Sequence, residues 1–373
     1  MIISLSFING FQQVIADKIF GFWGHVRVQH FEPIKSTIAE GTPITRNLQT
    51  ENKIKQFGNT GSVSAYATKS AILNMNGTIE GILMKGVEKE YPFAHIDRFL
   101  TKGHWPVYKD SSWSDEIVLS EYTANQLGAS VGQSVIIYFI QEDFSSPKTR
   151  KLKISGLYKT GIDVYDKVYA IGDMKLIQRL NGWNEDQIGG YEISLKDPST
   201  MEADANFLYA GLPDGWNALT LRDLSPEIFD WLNLQDSNKY IMITVMTIVA
   251  LINLITCLII LLLERTSMIA ILKALGSSNM TIQKIFIAYG VWIAGIGVGL
   301  GTILGLGLCY IQQYTKFIKL NEEAYYVDHA PVLVQFSDVF MIVMGTLLVS
   351  SIILFIPSYL SRKISPAKAL RFK

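Results

Sequence analysis

Charged residues are missing from three long stretches of this chain, Tyr240–Leu263, Ile285–Thr315 and Val339–Ser361. A helix needs about 20 apolar residues to cross the hydrocarbon core of a membrane, and each stretch is long enough. Buried core helices of a soluble protein are the alternative, but three such stretches close together favour membrane spans. The stretches also lack histidine, which disfavours a proton relay or an ion pathway through them.

The sequence also lacks the residues or motifs that a disulfide scaffold, an ATP site or a metal site would require. The only cysteines, Cys257 and Cys309, fall inside the predicted spans, so the rest of the chain has no disulfide scaffold. No G-x-x-x-x-G-K-[ST] sequence is present to cradle ATP phosphates, and the five histidines lack metal-ligand spacing. A net charge of zero gives no indication of nucleic acid. We therefore predict a non-catalytic membrane protein with no metal site and no cofactor of its own.

Basic residues outside the spans predict the orientation of the chain. The loop 265–284 and the tail 362–373 are basic, whereas 316–338 holds more acids than lysines. The positive-inside rule places the loop and the tail in the cytoplasm, and the large region before the spans on the outer face. The predicted segments are an outer helix end (1–23), an outer domain with its stalk (24–235), a second membrane helix (236–264), a cytoplasmic helical loop (265–284), a third membrane helix (285–315), an outer loop (316–338), a fourth membrane helix (339–361) and a cytoplasmic tail (362–373).

The N-terminal segment is too short to be a complete span. Only Met1–Ile8 is apolar, and a helix-like stretch follows as far as Phe22. Neither a basic region nor a small-residue cleavage site indicates a signal peptide. Because the outer domain requires a span or a signal before it, we interpret 1–23 as the outer end of a first membrane helix that begins before this chain. A short membrane-surface helix is the alternative.

The region from about Gly24 to Gln235 is predicted to be a mixed α and β domain. Ser120 and Asp173 are expected to cap short helices, and Ser225 to cap a stalk helix over Pro226–Leu234. The strand candidates alternate apolar and polar residues: His25–His30, Thr78–Val87, Glu116–Leu119, Ser134–Ile140, Lys151–Leu157, Lys167–Ile171 and Tyr191–Leu195. The expected fold is an α-helical membrane bundle, with three full spans plus a truncated first helix, and a large mixed α+β extracytoplasmic domain.

The first cytoplasmic loop is the most specific stretch of the sequence. Glu264–Ser277 reads ERTSMIAILKALGS, an amphipathic helix that ends at Gly276, and a membrane-surface helix is its local alternative. The stretch closely resembles the E-R-T-x-x-I-x-I-L-K-A-L-G signature of the FtsX/MacB-type permeases of ABC transporters. The tail from Ile356 to Arg371 resembles the same family's ending. Asn9-Gly10-Phe11, the His25–His30 strand and Tyr325-Tyr326 with Pro331-Val332 resemble its lipoprotein-releasing branch, the LolC/LolE permeases.

This resemblance implies a multi-pass permease of the inner membrane, with four helices and a periplasmic domain between the first two. It also implies four partners: a separate ABC ATPase that holds ATP and magnesium, a second permease copy or paralogue, an acylated lipoprotein and a periplasmic carrier. Closure of the ATPase would be transmitted to the periplasmic domain, which would release the lipoprotein towards the carrier. The residues expected to contact the ATPase are Glu264, Arg265, Ile269, Leu272, Lys273, Leu275 and Gly276. Met268 stands where many relatives carry an acid, so no ionic contact is expected there.

Three further groups of residues are candidates for function. Gly295, Gly297, Gly299, Gly301 and Gly305 lie in a charge-free span at spacings of four, which favours close helix packing over a dinucleotide loop. A polar hairpin tip with Phe144, Ser145, Ser146 and Pro147 sits where the family recruits its carrier, although its local sequence favours a solvated turn. Phe229, Trp231 and Leu232 on the stalk are candidates for lipid contact, with helix packing as the alternative.

Two other functions fit parts of the pattern. The first is a MacB-like exporter or an FtsX-like division regulator; MacB-like proteins carry a fused ATPase, and division regulators have much shorter outer domains. The second is a membrane-anchored receptor or adhesin without energy coupling, which has no need for the loop at 264–277. The sequence therefore favours the lipoprotein-releasing permease.

Overall fold

The computed structural model describes residues 1–32, 40–110, 112–141, 146–321 and 325–353, which form two compact units. The α/β unit comprises Ile15–Asp230 and Asn321–Val327; the helical unit comprises Met1–Val14, Trp231–Leu320 and Asp328–Lys373. Two helices contribute residues to both units, α1 (Ile2–Trp23) and α8 (Pro226–Glu264).

A ten-stranded sheet, counted over the described residues, is the centre of the α/β unit. Its path runs β12-β1-β11-β3-β4-β9-β6-β8-β5, with β7 paired to both β3 and β8; β2 and β10 form a separate pair. The strands are β1 (Val26–His30), β2 (Ile44–Thr45), β3 (Thr60–Met75), β4 (Thr78–Val87), β5 (Leu100–Gly103), β6 (Glu116–Ser120), β7 (Ser134–Phe139), β8 (Lys148–Tyr158), β9 (Tyr169–Asp173), β10 (Gln187–Ile188), β11 (Gly190–Leu195) and β12 (Trp216–Thr220). Both parallel and antiparallel pairs occur, which confirms a mixed α and β domain.

Short helices complete the α/β unit: α2 (Leu48–Gln56), α3 (Glu121–Leu127), α4 (Asp163–Val168), α5 (Met174–Asn181), α6 (Met201–Tyr209) and α7 (Leu221–Leu224). Two of the three predicted caps are confirmed, since the Ser120 side chain accepts from the Thr123 N–H and Asp173 accepts from the Lys175 N–H. The cap expected at Ser225 stays a prediction, and Ser225 ends α7. The strand expected over Lys167–Ile171 is partly wrong. Lys167 ends α4, and β9 begins at Tyr169.

The end of α1 lies inside the core of the α/β unit. Phe22 and Trp23 are buried, and the Phe22 ring stacks on the rings of Tyr158 and Tyr165 at centroid distances of 5.6 and 5.0 Å. The Lys85 ammonium donates to the Phe22 carbonyl at 2.8 Å, which satisfies an acceptor that the helix end leaves without a backbone partner. Burial lowers the pKa of Lys85 to about 8, and the nearby carboxylate of Glu192 opposes that shift.

Long apolar helices make up most of the helical unit. Together with part of α8 it contains α9 (Thr266–Ala274), α10 (Asn279–Thr315) and α11 (Phe336–Ile353). Among the described residues, Pro226–Cys257 and Met280–Thr315 are long and apolar enough to cross a membrane, and Phe336–Ile352 is a shorter apolar helix. Two of the three predicted full spans are thus present at full length. The predicted fourth span continues beyond Ile353, where its remaining residues lie outside the described ranges.

His25 generates a prediction about pH. Its Nδ1 accepts a hydrogen bond from the Leu195 N–H at 2.9 Å, and burial lowers its pKa from 6.5 to about 4. As the pH falls through the unfolded pKa, the unfolded chain takes up a proton that the folded chain refuses. The free energy of unfolding should therefore decrease between about pH 6.5 and pH 4, by at most about 3 kcal/mol from this group.

His25→Asn is the matched control for that prediction, because an amide oxygen can accept the same N–H without titrating. Urea unfolding of the full chain in detergent, followed at about pH 4.5 and about pH 7.5, measures the effect. The difference in the free energy of unfolding between these two pH values should be smaller in the variant than in the unchanged protein. An identical difference in both would show that His25 does not control the acid sensitivity.

Candidate functional site

Helix α9 is joined to α10 by a tight turn. Gly276 ends α9 with a φ of 91°, a conformation that favours glycine, and its N–H donates to the Lys273 carbonyl. The Ser277 N–H donates to the Leu272 carbonyl at 3.0 Å. Ser278 then caps α10 by accepting from the Thr281 N–H at 3.2 Å. The short turn leaves little freedom between the two helices.

One side of α9 is an exposed apolar face. Met268, Ile271 and Leu275 are 41%, 49% and 79% exposed, and their spacing of three and four places them on the same side of the helix. Ile269 and Ala270 are fully buried on the opposite side. The predicted contact face therefore needs correction: Ile269 belongs to the packing of the helical unit, whereas Met268 and Ile271 join Leu275 on the exposed face.

The other residues predicted to contact an ATPase surround this face. Leu272 and Lys273 are half-buried, and Glu264, Arg265 and Gly276 are exposed. The correction has a simple cause: α9 carries apolar residues around most of its circumference, so periodicity alone does not distinguish its two sides. We define the coupling face as Met268, Ile271 and Leu275.

The glycines of α10 fall into two groups. A Cβ at Gly305 would lie 3.5 Å from the Cβ of Ile2, so this glycine packs against α1. At Gly295, Gly297, Gly299 and Gly301 a Cβ would meet nothing within 4 Å. Helix packing at these four positions stays a prediction that requires a second chain.

A polar bridge connects three helices of the helical unit. Asn9 of α1 donates to Asp338 of α11 at 2.5 Å and accepts from the Lys239 ammonium of α8 at 2.9 Å. Nearby, Gln12 donates to Asp236 at 3.0 Å. One amide can serve both charges because it carries a donor and an acceptor on the same side chain. This bridge was not predicted; its signal in the sequence is a polar Asn in an apolar stretch, with charged residues bordering two predicted spans.

Segments that are far apart in sequence meet beside this bridge. The Leu333 N–H donates to the Ser6 carbonyl at 2.9 Å. A Cβ at Gly10 would lie 2.7 Å from the Pro331 carbonyl oxygen, so only glycine allows this approach. The motifs Asn9-Gly10 and Pro331-Val332 are therefore neighbours in the structure, although they lie far apart in the sequence.

The hairpin predicted to contact a carrier lies in the α/β unit. β7 and β8 pair antiparallel, with Phe139 opposite Lys148, which confirms a hairpin. Of its tip, Ser146 and Pro147 are exposed, whereas Phe144 and Ser145 lie outside the described residues. Contact with a carrier remains a prediction.

One of the three stalk candidates for lipid contact is a packing residue. Phe229 is buried, with its ring 6.1 Å from the Phe20 ring, so helix packing explains it better than lipid contact. In the helical unit, the half-buried Trp231 ring lies 5.4 Å from the Phe11 ring, and Leu232 is half-buried. Lipid contact at Trp231 and Leu232 stays a prediction.

Comparison with known proteins identifies the region that contains the coupling face. Residues 240–366 match the family model of the FtsX-like permease C-terminal domain. This part of the chain is similar to FtsX-like permeases. The whole chain is similar to the lipoprotein-releasing system transmembrane proteins LolC of Neisseria meningitidis serogroup B (25% identical, covering 100% of this chain and 91% of the relative) and LolE of Haemophilus influenzae (25%, 99% and 90%). The predicted resemblance to the FtsX/MacB-type permeases, and most of all to LolC and LolE, is confirmed.

Part of the chain also matches a solved structure at low similarity. The periplasmic region of MacB from Actinobacillus actinomycetemcomitans is 12% identical, covers 55% of this chain and 92% of that chain, and superposes with a TM-score of 0.39. Among the described residues of this chain, no group of three His, Cys, Asp or Glu side chains could hold a metal ion.

The open glycines of α10 generate a prediction about assembly. Replacing Gly297 or Gly301 by Leu should leave insertion of the chain unchanged, because a Cβ there meets nothing within 4 Å. The same change should weaken association with a second permease chain several-fold, since small residues allow close approach of helix backbones. Co-purification of two differently tagged permease chains measures this. Gly345→Leu on α11, an equally open position, is the control, and equal association in all three variants would contradict the prediction.

Proposed function

We propose that this chain is the permease subunit of an ATP-driven mechanotransmission ABC transporter. It releases acylated lipoproteins from the inner membrane towards a periplasmic carrier. The observation that carries the proposal is the coupling face, an exposed apolar surface on a short helix between two long apolar helices. An apolar helix face of this kind fits a groove on a partner protein. We assign that groove to the ATPase subunit, which supplies ATP and magnesium.

The tight turn after α9 supports mechanical coupling. Gly276 and Ser278 satisfy the backbone groups at the end of α9 and the start of α10. A displacement imposed on the coupling face would therefore be passed to α10 instead of being absorbed by a flexible linker. In this proposal the chain has no catalytic role, and ATP hydrolysis takes place in the partner.

The length of α8 supports transmission beyond the membrane. The helix has 39 residues, which at about 1.5 Å per residue gives about 58 Å. The hydrocarbon core is about 30 Å thick, so α8 continues well outside it. The proposed topology is a multi-pass inner-membrane protein with the α/β unit in the periplasm and the coupling face in the cytoplasm.

The substrate follows from the relatives and from the energetics of lipid extraction. The similar proteins LolC and LolE belong to lipoprotein-releasing systems. Moving an acyl chain out of lipid costs about 0.8 kcal/mol per CH₂, so release needs both an energy source and a receiving surface. The predicted spans carry no charged side chain, which disfavours a polar substrate passing through them.

Leu275→Asp should disrupt docking of the ATPase. The side chain is 79% exposed, so the substitution should leave the fold intact. Burying a leucine in an interface stabilises it by roughly 1.5–3 kcal/mol, so binding should weaken by about one to two orders of magnitude. Co-purification of the ATPase with the full-length complex measures the loss. Leu48→Asp, at a 70% exposed position of the α/β unit, is the matched control. Full retention of the ATPase by Leu275→Asp would remove the docking role from this face.

Reconstitution in proteoliposomes tests the function as a whole. With the partner ATPase, the carrier and a triacylated lipoprotein, we expect transfer to the carrier only when ATP is present. The permease alone, checked by mass spectrometry, should hydrolyse no ATP because its sequence has no phosphate-cradling loop. Equal transfer with and without ATP, or export of small drugs in place of lipoprotein, would contradict the proposed function.

A further inference from the structure

A cavity of about 530 Å³ lies between α2 and α6 of the α/β unit. It falls within the range of about 300–1,000 Å³ that is typical of small-molecule sites. The lining residues come from the second half of α2, the end of α6 and the turns that follow them: Thr50, Lys53, Ile54, Gln56, Phe57, Gly58, Phe207, Leu208, Ala210, Gly211 and Leu212. The cavity belongs to neither the coupling face nor the helical unit.

The inner surface of the cavity is apolar. Ile54 and Leu208 are buried and form part of its wall. The rings of Phe57 and Phe207 stack with centroids 5.0 Å apart and planes inclined by 23°. Phe207 remains 65% exposed, so covering its ring with a ligand would remove apolar surface from water. This wall suits a hydrocarbon chain.

The lining of the cavity carries a single kind of charge, that of a lysine. Lys53 is the one charged residue among those that line it, and it is exposed. Lys196 donates to the Gly58 carbonyl at 3.1 Å, so a second ammonium group lies beside a residue of the lining. Of the nearby carboxylates, Glu51 pairs with Lys55 at 2.6 Å, and Asp204 accepts from the neutral side chains of Asn59 and Thr200; neither carboxylate lines the cavity. The charge of the lining itself therefore suits an anionic group.

We propose that this cavity binds the single acyl chain of an anionic amphiphile, of which a free fatty acid is the simplest example. The chain lies against the Phe57 and Phe207 rings, and the carboxylate lies at the end marked by Lys53 and Lys196. The site goes beyond the proposed release reaction, because it places lipid binding in the α/β unit and requires neither ATP nor a partner chain. A failure of this site would leave the proposed function untouched.

Gly58 offers a way to fill the cavity without altering its walls. A Cβ there meets nothing within 4 Å, and its φ is not in the left-handed region, so a side chain can be added without strain. Gly58→Trp should occupy the space that the acyl chain would use. Gly81 on β4 is equally open and lies away from the cavity, so Gly81→Trp is the matched control.

The experiment uses the full-length protein in nanodiscs of neutral phospholipid. A photoreactive analogue of dodecanoic acid is added, irradiated, and its attachment sites are mapped by mass spectrometry. We expect labels within 53–58 and 207–212. Gly58→Trp should reduce this labelling at least about tenfold, which corresponds to a loss of about 1.4 kcal/mol or more, and Gly81→Trp should leave it unchanged.

Charge is tested by a second pair of variants. Lys53→Glu should reduce labelling several-fold, because it reverses the charge at the rim. Lys55→Glu, two residues away and outside the cavity lining, should have little effect. The matching photoreactive alcohol, which has no charge, should label the unchanged protein as weakly as the acid labels Lys53→Glu.

Three results would overturn the proposal. The first is undiminished labelling of Gly58→Trp, and the second is equal labelling by the acid and the alcohol. The third is labelling confined to α8 and α10, which would assign chain binding to the membrane helices. Because both lysines and Gly58 are exposed, none of these variants depends on a change in the folded core.

Discussion

The contact between the Lys85 ammonium and the Phe22 carbonyl determines how α1 ends within the α/β unit. Lys85 lies on β4, and its charge is paired with Glu192 of β11 at 2.7 Å and lies 4.0 Å from the Trp23 ring. A buried helix end needs a donor for its free carbonyls, and a buried ammonium needs a carboxylate. Lys85 supplies the donor for the Phe22 carbonyl, and Glu192 supplies the carboxylate for Lys85. The end of α1 and two neighbouring regions of the sheet are thereby held in one arrangement.

In the helical unit, the neutral side chain of Asn9 lies between two charged groups. Asn9 satisfies both Lys239 and Asp338, so three helices meet where charged residues border apolar spans. At the other end of α8, the exposed coupling face and the turn at Gly276 present a surface whose backbone is already satisfied. In the proposed function, the apolar face of α9 is the place where the ATPase would act. The proposed function therefore depends on mechanical coupling and not on a reactive site.

Local patterns predicted much of the secondary structure, and their failures have physical causes. The charge-free stretches anticipated α8 and α10, and the alternation at Thr78–Val87 matches β4. The long strand β3 was missed because it is rich in Ser, Thr and Ala and contains Lys69. That lysine is buried and paired with Glu40 at 2.7 Å, a partner 29 residues away. A lysine inside a sheet cannot be foreseen without its partner.

The sequence by itself determined the features that depend on neighbouring residues: apolar length, helix caps, the family motif of the loop and the absence of a phosphate-cradling sequence. Tertiary structure alone decided which side of α9 faces outwards, because apolar residues surround that helix. It also decided the bridge from Asn9 to Asp338, 329 residues apart, and the cavity between α2 and α6. Burial and pairing are properties of groups brought together from distant parts of the chain, and no local pattern encodes them.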